Sequence, residues 1–223
     1  MMHQVNSCRS NTKRSGWRIA IAGTGGQGVL TATKLLCDAF VARGHDVVSG
    51  QLHGMAQRGG SVQSSVIIDG GVSPVIAGGR ADFVVGFEPV ETLRAANYLS
   101  PTTVVYMNTT AVVPFVLAQR TVLKQDDANY PDVSRLVDTL SAATANLFTL
   151  DATQRAIEAG AAKSLNMVML GCLLASDDLP CSADEFLEFI TNRLPPASRD
   201  VNARAFLSGV KAVKARTVGS GSL

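Results

Sequence analysis

Residues 18–44 read as a β-strand that turns through glycines straight into a helix, and no other part of the chain constrains the fold as much. Arg18-Ile-Ala-Ile-Ala22 is the strand, Gly23-Thr-Gly-Gly-Gln-Gly28 the turn, and Val29 to Arg43 the amphipathic stretch, with Gly44 where a helix would end. A strand delivered into a helix this way belongs to a sheet with helices packed on it. The turn has two readings. It is a cradle in which backbone N–H groups and the helix dipole meet an anion, or a tight corner that needs small residues for packing.

The alternation continues down the chain. Strands are expected at Asp46–Ser49, Ser61–Ile68, Asp82–Gly86, Thr103–Met107 and Leu147–Leu150. The turn Asp69-Gly-Gly71 and a short extended piece at Val75-Ile76 suggest a hairpin with Ser61–Ile68. Helices are expected at Pro89–Tyr98, Asp132–Thr144, Gln154–Ala159, Ser164–Ala175, Ala183–Arg193 with Ser182 as N-cap, and Arg199–Lys214. The expected fold class is therefore α/β: a three-layer α/β/α domain around a mostly parallel, mixed sheet, with a helical C-terminal extension. One domain over residues 17–216 accounts for all of it, with a disordered tail at 1–16 and a flexible one at 217–223.

Two familiar nucleotide sites can be tested letter by letter. A P-loop needs Lys and then Ser or Thr after its last glycine, and Val29 and Leu30 stand there, which argues against nucleotide hydrolysis. A dinucleotide site needs an acid at the end of the second strand, where Ser49, Gly50 and Gln51 follow Val47 and Val48. A self-contained NAD- or FAD-binding Rossmann-type oxidoreductase is thus the weaker alternative. Composition removes other classes. Three of the 20 basic residues, Arg9, Lys13 and Arg14, lie in the first seventeen positions, so the rest holds 17 bases against all 18 acids. No basic stripe or aromatic interleaving marks a nucleic-acid surface. Cys8, Cys37, Cys172 and Cys181 have neither CxxC spacing nor a histidine pair nearby, so neither an iron–sulfur cluster nor zinc is expected. The longest apolar run, Met167 to Ala175, is too short to span a bilayer, and the N-terminal residues lack a signal-peptide apolar stretch. A soluble, cytoplasmic protein with reduced thiols is the expectation, with no membrane and no nucleic acid among its partners.

The segment Leu52-His-Gly-Met-Ala-Gln-Arg-Gly-Gly-Ser-Val62 gathers a histidine, an amide, an arginine and three glycines between two strands. Should it meet the first glycine loop at the strands' carboxyl edge, the two form one polar pocket with Arg58 as its anion holder. Otherwise Gln57 and Arg58 cap backbone carbonyls. His53 either carries protons or bonds backbone, and Asp151 either faces the same edge or caps the following helix. Met167 and Met169 read as core, and Asn166 as a brace for a neighbouring loop.

With both segments in view, the chain resembles the gamma-type subunits of the 2-oxoacid:ferredoxin oxidoreductases, which carry a GxGGQG loop after the first strand and then an HGMAQRGGSV segment. The likeness runs on through Phe87-Glu-Pro89, Leu93-Arg94, Asn108, Tyr130-Pro131, Asp151-Ala152, Asn166-Met-Val-Met-Leu-Gly171, Asn202 and Ala205-Phe206, covering about residues 17–212. These later matches are most similar to the indolepyruvate branch of that family. The resemblance implies a small, non-redox subunit, inactive alone, beside a large subunit that carries thiamine diphosphate and the iron–sulfur clusters. Ferredoxin would be reached through the complex, and a homodimer is compatible with the same features. The implied reaction is oxidative decarboxylation of indolepyruvate or other arylpyruvates to an acyl-CoA. By motif position, His53, Gln57 and Arg58 would be the catalytic residues. Gly23, Gly25, Gly26, Gln27, Gly28, Gly59, Gly60 and Ser61 would form the cofactor-binding loops, with coenzyme A and thiamine diphosphate at the shared site, no metal, and no cofactor held by this chain alone. A pure assembly module, its glycine loops only packing on the large subunit, is the other alternative. One departure bears on substrate or acyl-acceptor preference: the family often has an arginine in the strand after the second loop, where this chain reads Ser64-Ser65-Val66-Ile67-Ile68.

Overall fold

The computed structural model describes residues 16–53, 59–112, 130–176 and 178–219. Six strands form one sheet: β1 (Trp17–Thr24), β2 (Val47–His53), β3 (Ser61–Ile68), β4 (Phe83–Gly86), β5 (Val104–Asn108) and β6 (Asn146–Leu150), in the spatial order β2-β3-β1-β4-β5-β6. β1 is parallel to β4, β4 to β5, and β5 to β6, while β3 runs antiparallel to both β1 and β2. β3 is thus the single reversed strand of a mixed sheet.

Seven helices accompany the sheet among the described residues: α1 (Val29–Val41), α2 (Pro89–Arg94), α3 (Val133–Ala143), α4 (Ala152–Glu158), α5 (Leu165–Leu174), α6 (Ala183–Arg193) and α7 (Pro196–Gly219). Successive strand residues point to opposite faces, so Ile19 and Ile21 enter one core and Ala20 and Ala22 the other. The larger core lies under α1, α4, α5, α6 and α7; the smaller is closed by Ile76, Ala81 and Ala95 with Tyr98 and Leu99. α2 and α3 pack on each other on that second side. The expected three-layer α/β/α fold is the one observed, with α5 to α7 as its helical C-terminal part.

Several boundaries differ from expectation for identifiable reasons. The hairpin partner of Ser61–Ile68 is β2, not Val75-Ile76; Val75 is 77% exposed and belongs to no strand. β2 extends to His53 through Gly50, Gln51 and Leu52 because it is the sheet's edge, where one side of the strand faces solvent and a polar, glycine-containing sequence is tolerated. The helix opened by Pro89 gives way after Arg94 to a 3-10 turn at Ala96–Tyr98. Gly16, assigned to the disordered tail, is buried, where an added Cβ would lie 2.3 Å from the Ile68 carbonyl oxygen. Backbone helix continues to Gly219, past the expected start of the flexible tail at 217. Residues 1–15 and 220–223 lie outside the described residues.

Every residue of α5 is buried, so Met167 and Met169 are core as read from the sequence, and Cys172 is pushed up to about 12 by desolvation. This helix is hydrophobic all round because α1, α4, α6, α7 and the sheet surround it. Its closest neighbour is α7. A Cβ on Gly171 would sit 2.1 Å from the Phe206 carbonyl oxygen, and one on Gly209 would sit 2.0 Å from that of Val168. Two glycines thus let two backbones touch, and Cys172 Sγ donates to the Gly209 carbonyl at 3.7 Å. No helix among the described residues is long and apolar enough to cross a membrane.

Overpacking of this kind costs about 1–3 kcal/mol. Gly171→Ala and Gly209→Ala are each expected to lower Tm by roughly 2–12 °C, taking about 2–4 °C per kcal/mol for a domain of this size. Thermal melts monitored by circular dichroism check this, and an unchanged Tm for both would show that the two helices separate freely.

Candidate functional site

The sheet's topology brings the two glycine loops together. β3 is reversed and lies between β2 and β1, so its first residue, Ser61, is paired with Thr24, the last residue of β1. The chain leaving β2 at His53 must therefore return to the sheet next to the point where β1 opens into its glycine turn. Backbone hydrogen bonds close the junction: Gly25 N–H donates to the Gly60 carbonyl at 2.8 Å, and Gly59 N–H donates to the Gly25 carbonyl at 3.2 Å. The convergence anticipated from sequence is thus present at Gly25, Gly59 and Gly60. Gln57 and Arg58 lie outside the described residues. His53 is placed by its backbone as the end of β2, paired with Val62.

This is also a switch point of the sheet. From β1 the chain first builds outwards to β2 and β3, then crosses to β4, β5 and β6 on the other side. The crevice at the carboxyl ends of β1 and β4 is where open α/β sheets place ligands.

The first loop is braced from within. Gln27 Oε1 accepts from Thr24 N–H at 2.8 Å while its Nε2 donates to the Phe87 carbonyl at 2.9 Å, so one amide side chain spans the turn and ties it to the end of β4. Gln27 N–H also returns to the Thr24 carbonyl at 3.1 Å. Gly28 is the N-cap of α1, at φ +83°, and Asn166 of α5 stands so near that a Cβ there would meet its Nδ2 at 3.1 Å. The brace role read for Asn166 is consistent with that contact. A left-handed cap without a side chain leaves the first-turn amides of α1 with no capping acceptor, and no acid occupies that turn. A bare helix N-terminus next to glycine backbone suits a phosphate or carboxylate.

Phe87 is the hub of the neighbouring strand ends. Its N–H donates to the Ala22 carbonyl at 2.7 Å, and its own carbonyl accepts from both Gln27 and, at 3.0 Å, Asn108 Nδ2. Asn108, at the end of β5, also donates to Thr153 Oγ1 and accepts from Ala152 N–H at 2.9 Å, which anchors the start of α4. Asp151 serves that start as N-cap, accepting from Gln154 N–H and from Thr110 Oγ1, both at 2.8 Å. The capping reading is the one observed, at the end of β6.

Sequence reasoning missed the acids behind the second loop. Glu88 and Glu91, one turn apart in and before α2, are 1% and 5% exposed. Glu88 caps α2 and accepts from Val112 N–H at 3.3 Å and from the Tyr130 hydroxyl. Burial, followed by the bond to Glu88, holds the Tyr130 phenol well above its ordinary range. Ser61, proposed as a loop ligand, donates its hydroxyl to Glu91 at 2.5 Å. The signal available was Glu88 directly before Pro89, since an acid followed by proline marks a helix start.

A cavity of about 160 Å³ opens elsewhere, on the smaller core's side, along Ala20, Ala22, Gly50 and Pro74-Val75-Ile76. None of the glycine-loop residues lines it. Among the described residues no group of three or more His, Cys, Asp or Glu could hold a metal, and Cys37, Cys172 and Cys181 are free thiols.

Replacing Gln27 by Leu removes both struts: the Thr24 N–H loses its acceptor, at a cost of about 1–3 kcal/mol, while the Phe87 carbonyl keeps Asn108 alone. Gln27→Leu is expected to lower Tm and to speed amide exchange at Thr24–Gly28 while leaving α5 protected. Hydrogen–deuterium exchange followed by mass spectrometry reads both, and uniform loss of protection would show that Gln27 supports the whole fold instead of this turn.

The family described as "Pyruvate ferredoxin/flavodoxin oxidoreductase" matches residues 18–212. The chain is 34% identical over 193 residues to the indolepyruvate oxidoreductase subunit IorB of Methanothermobacter thermautotrophicus, covering 86% of this chain and 95% of that one. To the protein of the same name from Pyrococcus horikoshii it is 37% identical over 202 residues, covering 89% and 96%. Among solved structures, the gamma subunit of a keto/oxoacid ferredoxin oxidoreductase from Geobacter sulfurreducens shares the fold with a TM-score of 0.62 at 20% identity, over 89% of this chain and 99% of that one. The 2-oxoglutarate:ferredoxin oxidoreductase of Magnetococcus marinus does so with a TM-score of 0.65 at 18% identity, over 91% of this chain but 32% of its own length, so there the same fold is one part of a longer polypeptide. The family match spans most of the chain and these relatives are more than 30% identical over most of both chains, so the chain belongs to the pyruvate ferredoxin/flavodoxin oxidoreductase family.

Proposed function

We propose that this chain is the small, non-redox subunit of a thiamine-diphosphate-dependent 2-oxoacid:ferredoxin oxidoreductase that converts indolepyruvate or another arylpyruvate to its acyl-CoA, and that the joined glycine loops are its share of the active site. The observation that carries the reading is the backbone junction of Gly25 with Gly59 and Gly60 beside the uncapped N-terminus of α1. It supports an anion site built from amides, which suits the phosphates of coenzyme A or thiamine diphosphate. The relatives named as indolepyruvate oxidoreductase subunits supply the substrate class.

Thiamine diphosphate, which the large subunit would mainly hold, would supply the decarboxylation chemistry, and that subunit's clusters would supply the route for two electrons to ferredoxin. This chain's residues bind and orient. The first-turn amides of α1, with Gly26 and Gly28, hold phosphate or carboxylate charge, and Arg58 adds a fixed cation on the second loop. Gln57 and His53 orient the reacting groups from that loop, while Gln27 and Asn166 keep the first loop in one shape. Preorganised amides of this kind act without reorganising during the reaction.

Two other readings are weaker. A dinucleotide enzyme needs its second strand beside the first so that an acid there reaches the ribose, whereas here β3 intervenes and moves β2 one strand spacing further out. An assembly module would need no cation in the second loop. Calorimetry of the purified chain and of its complex with the large subunit, against coenzyme A, NAD and FAD, is expected to show coenzyme A binding to the complex alone and neither dinucleotide binding to either. Arg58→Ala is expected to assemble normally and to weaken coenzyme A binding about tenfold or more. Normal turnover and coenzyme A affinity in that variant would make the chain an assembly module.

A further inference from the structure

The two acids of the α2 region are buried for different reasons. Carboxylates are almost never fully buried unless paired. Glu88 is accounted for by its own helix and the connection after β5, since it caps Glu91 N–H at 2.9 Å and receives Val112 N–H and the Tyr130 hydroxyl. Glu91 does nothing comparable for α2. Its Oε1 accepts from Arg94 at 2.9 Å, but that arginine's side chain is 57% exposed, and such an i,i+3 pair contributes a few tenths of a kcal/mol. Its Oε2 accepts the Ser61 hydroxyl at 2.5 Å. A hydroxyl bonded to an ionised carboxylate is shorter and roughly twice as strong as a neutral pair.

Ser61 stands immediately after Gly59 and Gly60, the two residues joined to Gly25. Glycine backbone can swing through many conformations, and Gly59 is at φ +70°. Two peptide hydrogen bonds between glycine turns leave that swing only partly restrained. A side-chain bond one residue further on, from a helix packed on the sheet, removes it.

We propose that Glu91 is a positioning residue: acting through Ser61, it fixes Gly59 and Gly60 against Gly25 where the chain enters β3, so that this junction meets its ligand already ordered. What that ligand is rests on the reading under Proposed function, whereas the mechanical link stands by itself. Ordering a loop before binding lowers the entropy lost on binding.

The test uses the full chain, alone and in complex with its large subunit, as Glu91→Ala, Glu91→Gln, Ser61→Ala and the Glu91→Ala/Ser61→Ala double variant. In the chain alone, Glu91→Ala and Ser61→Ala are each expected to speed amide exchange at Gly59 to Ser61 about tenfold while α5 keeps its protection. The double variant goes no further than the worse single one, because the two side chains act as one link. Glu91→Gln keeps an acceptor for the hydroxyl and restores most of the protection. In the complex, KM for coenzyme A rises about tenfold in both single alanine variants while KM for the 2-oxoacid moves less than twofold. The proposal is overturned if loop exchange in Ser61→Ala, the milder truncation, stays at the wild-type rate, if the two effects add, or if Glu91→Gln is as damaging as Glu91→Ala. A wild-type complex that binds no coenzyme A would defeat the functional reading instead, and the exchange measurements would still decide the role of Glu91.

Discussion

The carbonyl of Phe87 is the point on which the carboxyl edge of this protein depends. Two side-chain amides converge on it, Gln27 from the turn after β1 and Asn108 from the end of β5, and the Phe87 N–H holds Ala22 of β1. Strands β1, β4 and β5 are thereby tied together just past their last ladder pairs, where a sheet ordinarily loosens into loops. A carbonyl has two lone pairs and both are used here. The turn after β1 can then be rich in glycine, because its stiffness is supplied by Gln27 from within and by β4 from beneath. From this hub, support passes along Asn108 to the start of α4 and along Glu88 to Tyr130.

How much of this was legible in the sequence follows from which interactions are local. The turn, its helix and the α/β class were readable because strand, glycines and apolar periodicity occupy one continuous stretch, residues 18–44. The capping box at Ser182 and Glu185 was readable in part for the same reason, Ser182 being evident as an N-cap from the residues around it. The strand order was not. Nothing in Ser61–Ile68 states that it pairs with β1 as well as β2, because pairing partners are chosen by nonlocal burial and not by the strand's own letters. Its alternation of buried and half-buried residues before the fully buried Val66-Ile67-Ile68 fits a strand between two others, yet it equally fits half of the hairpin expected with Val75-Ile76. Gly50 and Gln51 read as loop because edge strands can be polar.

The burial of Glu91 was illegible for a different reason. A glutamate in sequence defaults to the surface, and only the packed structure shows that Glu91 faces Ser61 across 30 positions of chain. The two glycine loops announced themselves by composition, but the parts that make them rigid, Gln27 to Phe87, Asn166 against Gly28 and Glu91 to Ser61, are single side chains with ordinary sequence surroundings. In this chain the glycine motifs are therefore easier to find from sequence than the side chains that hold them.

The reversed strand explains why a chain with a Rossmann-like beginning need not bind a dinucleotide. In that arrangement the anion site at the first turn and the ribose acid at the second strand's end work together because the two strands are neighbours. Placing β3 between them separates the two ends by a further strand spacing of roughly 4.8 Å, more than the reach gained by lengthening an aspartate to a glutamate. What the phosphate half of such a site needs, the first turn and the start of α1, is retained. The position lost to the ribose acid is taken by the start of β3 and the glycines before it, which approach the first turn from a second direction. One rearrangement in strand order thus removes the geometry of a dinucleotide site and brings a second glycine segment against the first turn, with no change in the strand, glycine turn and helix from which the fold begins.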